Sequence, residues 1–366
     1  MKGSNTNNID LVKIFTLLFF IACFSSCKKS TTSPPVNIDD TFIRAADLSL
    51  LPEIEKSGTQ FYASDNSVKD VLTILKNNEC NTIRLRLWYD PATSQSSLAE
   101  VAAFANKIKL KNLKLWLCIH YSDTWADPGH QTPPLAWMGL PVNDLSDSVY
   151  NYTKRVLSVI QPDYVQIGNE INSGFLWETG RVTNSNAFIQ LLKSGIKAAR
   201  DNNTNIKIII HYAGQDGSNW FYSLLKSNGV DYDIAGLSYY PIWHGKSLDQ
   251  LQLIMKDLNT LTQKPVMIAE TAYPFTLGWN DYTDNVLGSS SQIIPDYPAT
   301  PDGQDQFMKA LIQRIKQTPQ GAGFCFWGGE WVAFRGNTST SGSPWENQAL
   351  FNFSNKALPV LEVFKQ

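Results

Sequence analysis

An excess of charge of either sign is what this 366-residue sequence lacks most clearly: 31 Lys and Arg stand against 33 Asp and Glu, a formal net charge of −2. No basic patch of the kind that tracks phosphate backbones stands out, which argues against a nucleic-acid partner. Histidine occurs four times and cysteine five. Cys80, Cys118 and Cys325 are scattered, so neither a disulfide framework nor a Cys-based metal site can be read. A G-x-S-x-G elbow is missing, which leaves acyl transfer by that route unsupported. The Gly-rich loop that announces many nucleotide-binding sheets is missing too. No apolar run is long enough to span a bilayer; residues 14–24 have the length of a signal-peptide core instead.

That run follows Lys2 and Lys13 and ends in Phe24-Ser-Ser-Cys27, with Lys28-Lys29 beyond. Small residues before a cysteine point to a lipoprotein signal over residues 1–27 in which Cys27 carries lipid. The alternative is an ordinary cleaved signal peptide. Either way the chain is expected to be exported; with the lipid it is a periplasmic or outer-membrane lipoprotein of a Gram-negative bacterium, touching the membrane only through that anchor. Residues 28–41, with their Ser, Thr, Pro and Asp, read as a polar tether. One folded domain over 42–366 remains, a monomer by default.

What is abundant is aromatic: 11 Trp, 14 Tyr and 18 Phe. These rings suit either a large core or stacking on flat, uncharged ligands such as sugars. Short β-rich runs recur at 42–45, 82–87, 113–119, 164–167, 206–210, 234–238, 266–269 and 323–326. Between them apolar residues fall at helical spacing, as in Val68, Val71, Leu72 and Leu75, or Phe188, Leu191, Leu192 and Ile196. Strand and helix alternating in this way fit a single-domain α/β fold, the (β/α)8 TIM barrel, with an open doubly wound sheet as the rival. Polar and aromatic residues bunch just after the strands, on what a barrel makes its catalytic face.

Two of the apolar runs stop on a glutamate: Asp163-Tyr-Val-Gln-Ile-Gly-Asn-Glu170 and Pro265-Val-Met-Ile-Ala-Glu270. Strand ends on opposite sides of a barrel axis aim both carboxyls into one cleft. Two carboxyls about 5–5.5 Å apart suit a retaining glycosidase, one as nucleophile and one as acid/base. Arg84 and Arg86 alternate on one strand, share its inner face, and would favour ionised Glu270. Tyr239 and Tyr240 close another strand, and one hydroxyl could hold the nucleophile's oxygen. Asn169 could bond a sugar hydroxyl. His120 and His130, near Asp123 and Asp127, match no helical zinc spacing, and His211 and His244 are placed on separate loops. Sugar hydrogen bonding or loop pinning is the preferred reading of these groups over a catalytic metal.

His120-Tyr-Ser-Asp-Thr-Trp-Ala-Asp-Pro-Gly-His-Gln131 closely resembles the signature loop of glycoside hydrolase family 53, the endo-β-1,4-galactanases. Ala46-Asp-Leu-Ser49, Asn81-Thr-Ile-Arg-Leu-Arg-Leu-Trp88, Ile167-Gly-Asn-Glu-Ile-Asn172, Leu237-Ser-Tyr-Tyr-Pro241, Glu270-Thr-Ala-Tyr-Pro274 and Trp345-Glu-Asn-Gln-Ala-Leu-Phe351 resemble the same family, in the expected order. The resemblance implies Glu170 as acid/base, Glu270 as nucleophile, and internal cleavage of β-1,4-galactan, the pectic type I arabinogalactan side chain, to galacto-oligosaccharides with retention. It also implies a sugar-stacking Trp327. Trp88, His120, Asp123, Trp125, Asp127, His130 and His244 join it as candidate substrate contacts. No cofactor is expected for catalysis. Some bacterial members hold calcium in the loop after strand 7, and Trp279-Asn-Asp-Tyr-Thr-Asp-Asn285 offers oxygens for a structural calcium without a matching spacing. The chain departs from the family at Trp88-Tyr-Asp-Pro91 and Gly328-Gly-Glu-Trp331, on the cleft rim where product length is set. A retaining enzyme for mannan or glucan, and a glycan-binding protein that no longer cuts, are the remaining alternatives.

Overall fold

Eight short strands, each buried on both faces, are the frame of the molecule: β1 (Ile43–Asp47), β2 (Thr82–Leu87), β3 (Lys114–Ile119), β4 (Tyr164–Ile167), β5 (Lys207–Ala213), β6 (Ile234–Ser238), β7 (Val266–Thr271) and β8 (Gly321–Phe326). Each pairs in parallel with the next, and β8 pairs with β1 to close the barrel. The computed structural model describes residues 41–366. The expected signal over 1–27, its lipidation site Cys27, and the tether 28–41 up to residue 40 lie outside the described residues.

Period-2 alternation sorts the strand side chains. One set faces the surrounding helices, as Ile83, Leu85 and Leu87 do on β2. The other set fills the lumen, which is layered. Ile43, Ala45, Trp116, Ile209, Ile234, Met267, Ala269 and Cys325 form an apolar lower cluster. Above it, towards the carboxyl ends of the strands, the inward residues turn polar: Asp47, Arg84, Arg86, Gln166, His211 and Ser238 are all buried. An apolar floor under a polar layer is how a barrel supports chemistry at its top.

The helices are α1 (Leu51–Lys56), α2 (Val71–Asn77), α3 (Leu98–Leu110), α4 (Val142–Ile160), α5 (Ser185–Asn202), α6 (Ser218–Ser227), α7 (Pro241–His244), α8 (Leu248–Thr262) and α9 (Pro301–Lys316). Several starts are legible in the sequence. Ser97 caps α3 by accepting from the Glu100 N–H, and Thr300 caps α9 by accepting from Gly303 with Pro301 in its first turn. The stripe that began at Val68 begins one turn later, because Asp70 caps α2 and leaves Val68 exposed. The fifth strand runs past its expected end to Ala213, so His211 lies within the ladder, opposite Gly236, rather than on a loop. A polar side chain continues a strand where the lumen supplies partners for it.

Two bulges break the regular ladder. Leu237 and Ser238 pair with Ile268 and Glu270, which leaves Ala269 as an extra residue in β7. Val266 and Met267 pair with Gly321 and Gly323, which leaves Ala322 extra in β8. Gly323 sits at φ +141°, where a Cβ would lie 2.1 Å from the carbonyl oxygen of Ile43 on β1. Gly336, at φ +88°, has nothing within 4 Å of its Cβ position. Gly336→Ala should therefore cost only the left-handed backbone, about 1–2 kcal/mol. Gly323→Ala must also push β1 from β8 and should cost at least about 3 kcal/mol. Chemical unfolding of both variants checks this; equal losses would show that the close approach does not matter.

Candidate active site

The polar layer opens upward into a cavity of about 460 Å3 whose lining includes Glu170, Glu270, Arg84, Arg86, Asn169 and Tyr240. The two glutamates reach it by different backbone devices. Met267 and Ala269 already face the lumen, so strict alternation would turn Glu270 outward; the extra residue in β7 turns it back in. Glu170 follows β4 through a left-handed conformation, φ +47°, that is unusual for a residue with a side chain.

Their surroundings are unequal. Oε1 of Glu270 pairs with the Arg84 guanidinium at 2.7 Å, and Oε2 accepts from the Tyr240 hydroxyl at 3.2 Å. Arg84 also binds Asp47 at 2.7 Å, Oδ1 of Asn169 at 2.8 Å and Oε1 of Gln166 at 3.3 Å. Oε1 of Glu170 instead accepts from the neutral hydroxyl of Ser238 at 2.5 Å. Burial, and then the repulsion of Glu270, push the Glu170 carboxyl up to about 8. Burial raises Glu270 as well, but Arg84 and the Tyr240 hydroxyl pull it back. One proton shared by this pair therefore resides on Glu170, and Glu270 is the carboxylate.

Arg86 does not touch Glu270. Its guanidinium lies 3.9 Å from the Trp125 ring centroid and 4.6 Å from that of Trp88, while Nε donates to Ser96. Burial lowers it to about 10, and it supports Trp125 as a platform on the cleft wall. Trp327 and Trp345 meet edge to face at 4.9 Å on the same cavity, and half-exposed Trp243 continues the surface. His120 and His244 line it too. In each, Nδ1 accepts a backbone N–H, from Ala126 and Tyr240 respectively, so Nε2 carries the proton. Burial holds His120 well below the usual imidazole value and His244 down to about 4, so both are neutral donors. Asn169 uses Oδ1 for Arg84 and one amide proton for the Ala126 carbonyl, which leaves the other for a ligand.

Several expected contacts lie elsewhere. Tyr239 is the wrong tyrosine of its pair: Ser238 and Tyr240 face inward, so Tyr239 between them faces the helices, stacks on Phe307 and donates to the Gly245 carbonyl. Trp88 is buried behind Trp125 rather than on the cleft wall. Asp123 pins loops by accepting from the backbone of Asp90 and Leu135. His130 points to solvent and pairs with Asp127, which itself lines the cavity. Asp47, Gln166 and Ser238 were not among the expected site residues and His211 was expected on a loop, although alternation along β1, β4, β5 and β6 puts each on the lumen face. Trp243, on the four-residue helix α7, and Trp345, quoted above only within a motif, also line the cavity without having been expected as substrate contacts, because neither lies in an element long enough to show a period. Among the described residues no group of three His, Cys, Asp or Glu could hold a metal ion. In the 279–285 loop Asp281 accepts from the Thr283 and Ser343 amides, and Oε1 of Glu346 from those of Asn280 and Asp281.

The likenesses of the chain agree with this geometry. It is 36% identical to an arabinogalactan endo-beta-1,4-galactanase of Cellvibrio japonicus, over 88% of this chain and 90% of that protein. It is 30% identical to an endo-beta-1,4-galactanase of Bacillus subtilis, over 88% and 85%. The solved catalytic domain of an Ignisphaera aggregans member of the same family superposes with a TM-score of 0.83 at 39% identity, covering 91% of this chain and 97% of that one. The family model described as Glycosyl hydrolase family 53 matches residues 43–364, and the chain belongs to that family.

Proposed function

We propose that this chain is an endo-acting, retaining glycosidase that hydrolyses β-1,4-galactosidic bonds in galactan and in the type I arabinogalactan side chains of pectin. The observation that carries the chemistry is the asymmetry of two facing carboxyls, of which only Glu270 has a guanidinium on it. Glu270 attacks the anomeric carbon while Glu170 gives its proton to the departing glycosidic oxygen. Once Glu270 is esterified its charge is gone, the repulsion that raised Glu170 disappears, and Glu170 takes a proton from the water that releases the sugar. Trp125, Trp327 and Trp345 offer faces and edges for the sugar rings, and His120, His244 and Asn169 offer donors to its hydroxyls. The choice of galactan rests on family membership and on the names of the relatives. No step in this scheme needs a cofactor.

Unbranched β-1,4-galactan, mannan and glucan offered to the full chain should yield oligosaccharides from galactan alone. Release from mannan or glucan would keep the two glutamates and replace the substrate, and binding without release from a folded protein would replace the activity.

Glu170→Gln should lower kcat/KM on galactan by about 10²–10⁴-fold. An aryl β-galactoside with a good leaving group should lose far less, because its departure needs no proton. The wild-type basic limb follows from the same group. Glu170 must be protonated for the first step, so kcat/KM should fall as pH rises through about 8. That limb should vanish in Glu170→Gln assayed on the aryl substrate. Equal losses on both substrates would remove Glu170 from the acid role.

We also read the chain as an exported, monomeric lipoprotein of a Gram-negative bacterium, anchored through Cys27 with residues 28–41 as its tether. The apolar run 14–24 and Ser25-Ser26-Cys27 support this. Cys27→Ala should abolish incorporation of labelled palmitate and release the protein from the membrane fraction; unchanged labelling would overturn it.

A further inference from the structure

Behind Glu170 the lumen holds three side chains that double displacement does not itself use: Gln166, His211 and Ser238, each at 0% exposure. None exchanges its partner for water, so the direction of each hydrogen bond follows from the chemistry of its neighbour. Arg84 can only donate. Its Nε faces Oε1 of Gln166 at 3.3 Å, which turns that amide so that Nε2 lies 3.1 Å from Nδ1 of His211. Nε2 of Gln166 also lies 2.9 Å from the Gly168 carbonyl and 3.0 Å from Oδ1 of Asn169, so its two protons are shared among three acceptors. An Nδ1 that accepts leaves the ring proton on Nε2, which lies 2.8 Å from Oγ of Ser238. Ser238 then directs its own proton to Oε1 of Glu170.

The opposite tautomer would donate from Nδ1 to Oδ1 of Asn169 at 3.1 Å. That oxygen already takes the Arg84 guanidinium at 2.8 Å and faces Nε2 of Gln166 at 3.0 Å, so both of its lone pairs have donors. Ser238 would then have to donate to His211, and it could meet Glu170 only as an acceptor. The carboxyl proton would be drawn onto Oε1, the oxygen that faces Ser238.

We propose that Arg84, Gln166, His211 and Ser238 form a directional hydrogen-bond relay in which Ser238 donates to Oε1 of Glu170 and confines the carboxyl proton to Oε2. This inference rests on the reading of Glu170 as acid/base and adds what aims its proton. Ser238 and His211 are positioning residues. In the acid step the Oε2–H proton moves to the glycosidic oxygen, and the electron pair of the breaking bond stays on that oxygen. The bond from Glu270 to the anomeric carbon forms as the old one breaks. Ser238 then already donates to the carboxylate that remains, so nothing in the relay has to reorient. The guanidinium that holds Glu270 ionised is thus also the origin of the chain that aims the proton of Glu170.

The full chain has only four histidines, so nitrogen-15 labelling of the imidazoles makes their tautomers readable by long-range proton–nitrogen correlation. His211, assigned by its loss in His211→Gln, should carry its proton on Nε2; a proton on Nδ1 would overturn the relay. Ser238→Ala should lower kcat/KM on galactan about tenfold, a fraction of a general acid's usual contribution. The aryl β-galactoside should change by less than about twofold, because its first step needs no acid. Ser238→Thr, which keeps the hydroxyl, should restore galactan cleavage. Equal losses on both substrates in Ser238→Ala would mean a structural role and would overturn the proposal. Glu170→Gln on the same substrates separates the two readings. If it spares the aryl substrate and Ser238→Ala does not discriminate, the relay alone fails; if it does not, the acid role fails.

Discussion

Arg84 is a permanent cation in the middle of a barrel, and much of the molecule is arranged around making that tolerable. A buried charge without partners costs several kcal/mol, and removing one partner of a buried pair typically costs about 3–5 kcal/mol. Two carboxylates meet it at 2.7 Å, Asp47 from β1 and Glu270 from β7, and the Gln166 and Asn169 amide oxygens take further donors. Residues from three strands or their ends are therefore tied to one guanidinium on a fourth. Because one of those partners is the proposed nucleophile, the arrangement that neutralises the cation also keeps the nucleophile charged.

The same constraint sorts the two glutamates. Glu170 and Glu270 share a cavity and repel one another, yet only one has a cation in contact; the other has a serine hydroxyl and bears the proton. No metal is needed for this division of labour: two carboxyls, one arginine and low dielectric suffice. The cleft walls follow a compatible logic. Its two histidines are held neutral by burial, so they offer donors without adding positive charge beside Glu170. The second lumen arginine, Arg86, stacks on Trp125 and Trp88, where indole faces offset part of the lost hydration.

Strands with one apolar face towards the helices were legible because that pattern is local, and the ranges 82–87, 164–167 and 234–238 coincide with β2, β4 and β6. Glutamates at the ends of two such strands were legible for the same reason. Tyr239 and Tyr240 show where local reading stopped. A pair of adjacent tyrosines at a strand end is symmetric in sequence, and only the phase of the strand decides which hydroxyl meets Glu270. His211 shows the opposite failure: its polarity suggested a loop, but a lumen lined with Gln166, Asn169 and Ser238 makes a strand position favourable.

The sequence by itself determined the barrel, through alternating periods of two and 3.6, and it placed Glu170 and Glu270 on the catalytic face. Which oxygen of which carboxyl is bonded to what belongs to the tertiary structure. Glu270 faces inward because β7 carries one residue more than its neighbours' ladders, a relation between three strands that no single strand encodes. The unequal environments of the two carboxyls depend on Arg84, Gln166, His211 and Ser238 arriving from β2, β4, β5 and β6, up to 154 positions apart in the numbering of the chain. Contacts of that range exist only once the barrel has closed, and they set the protonation on which the chemistry turns.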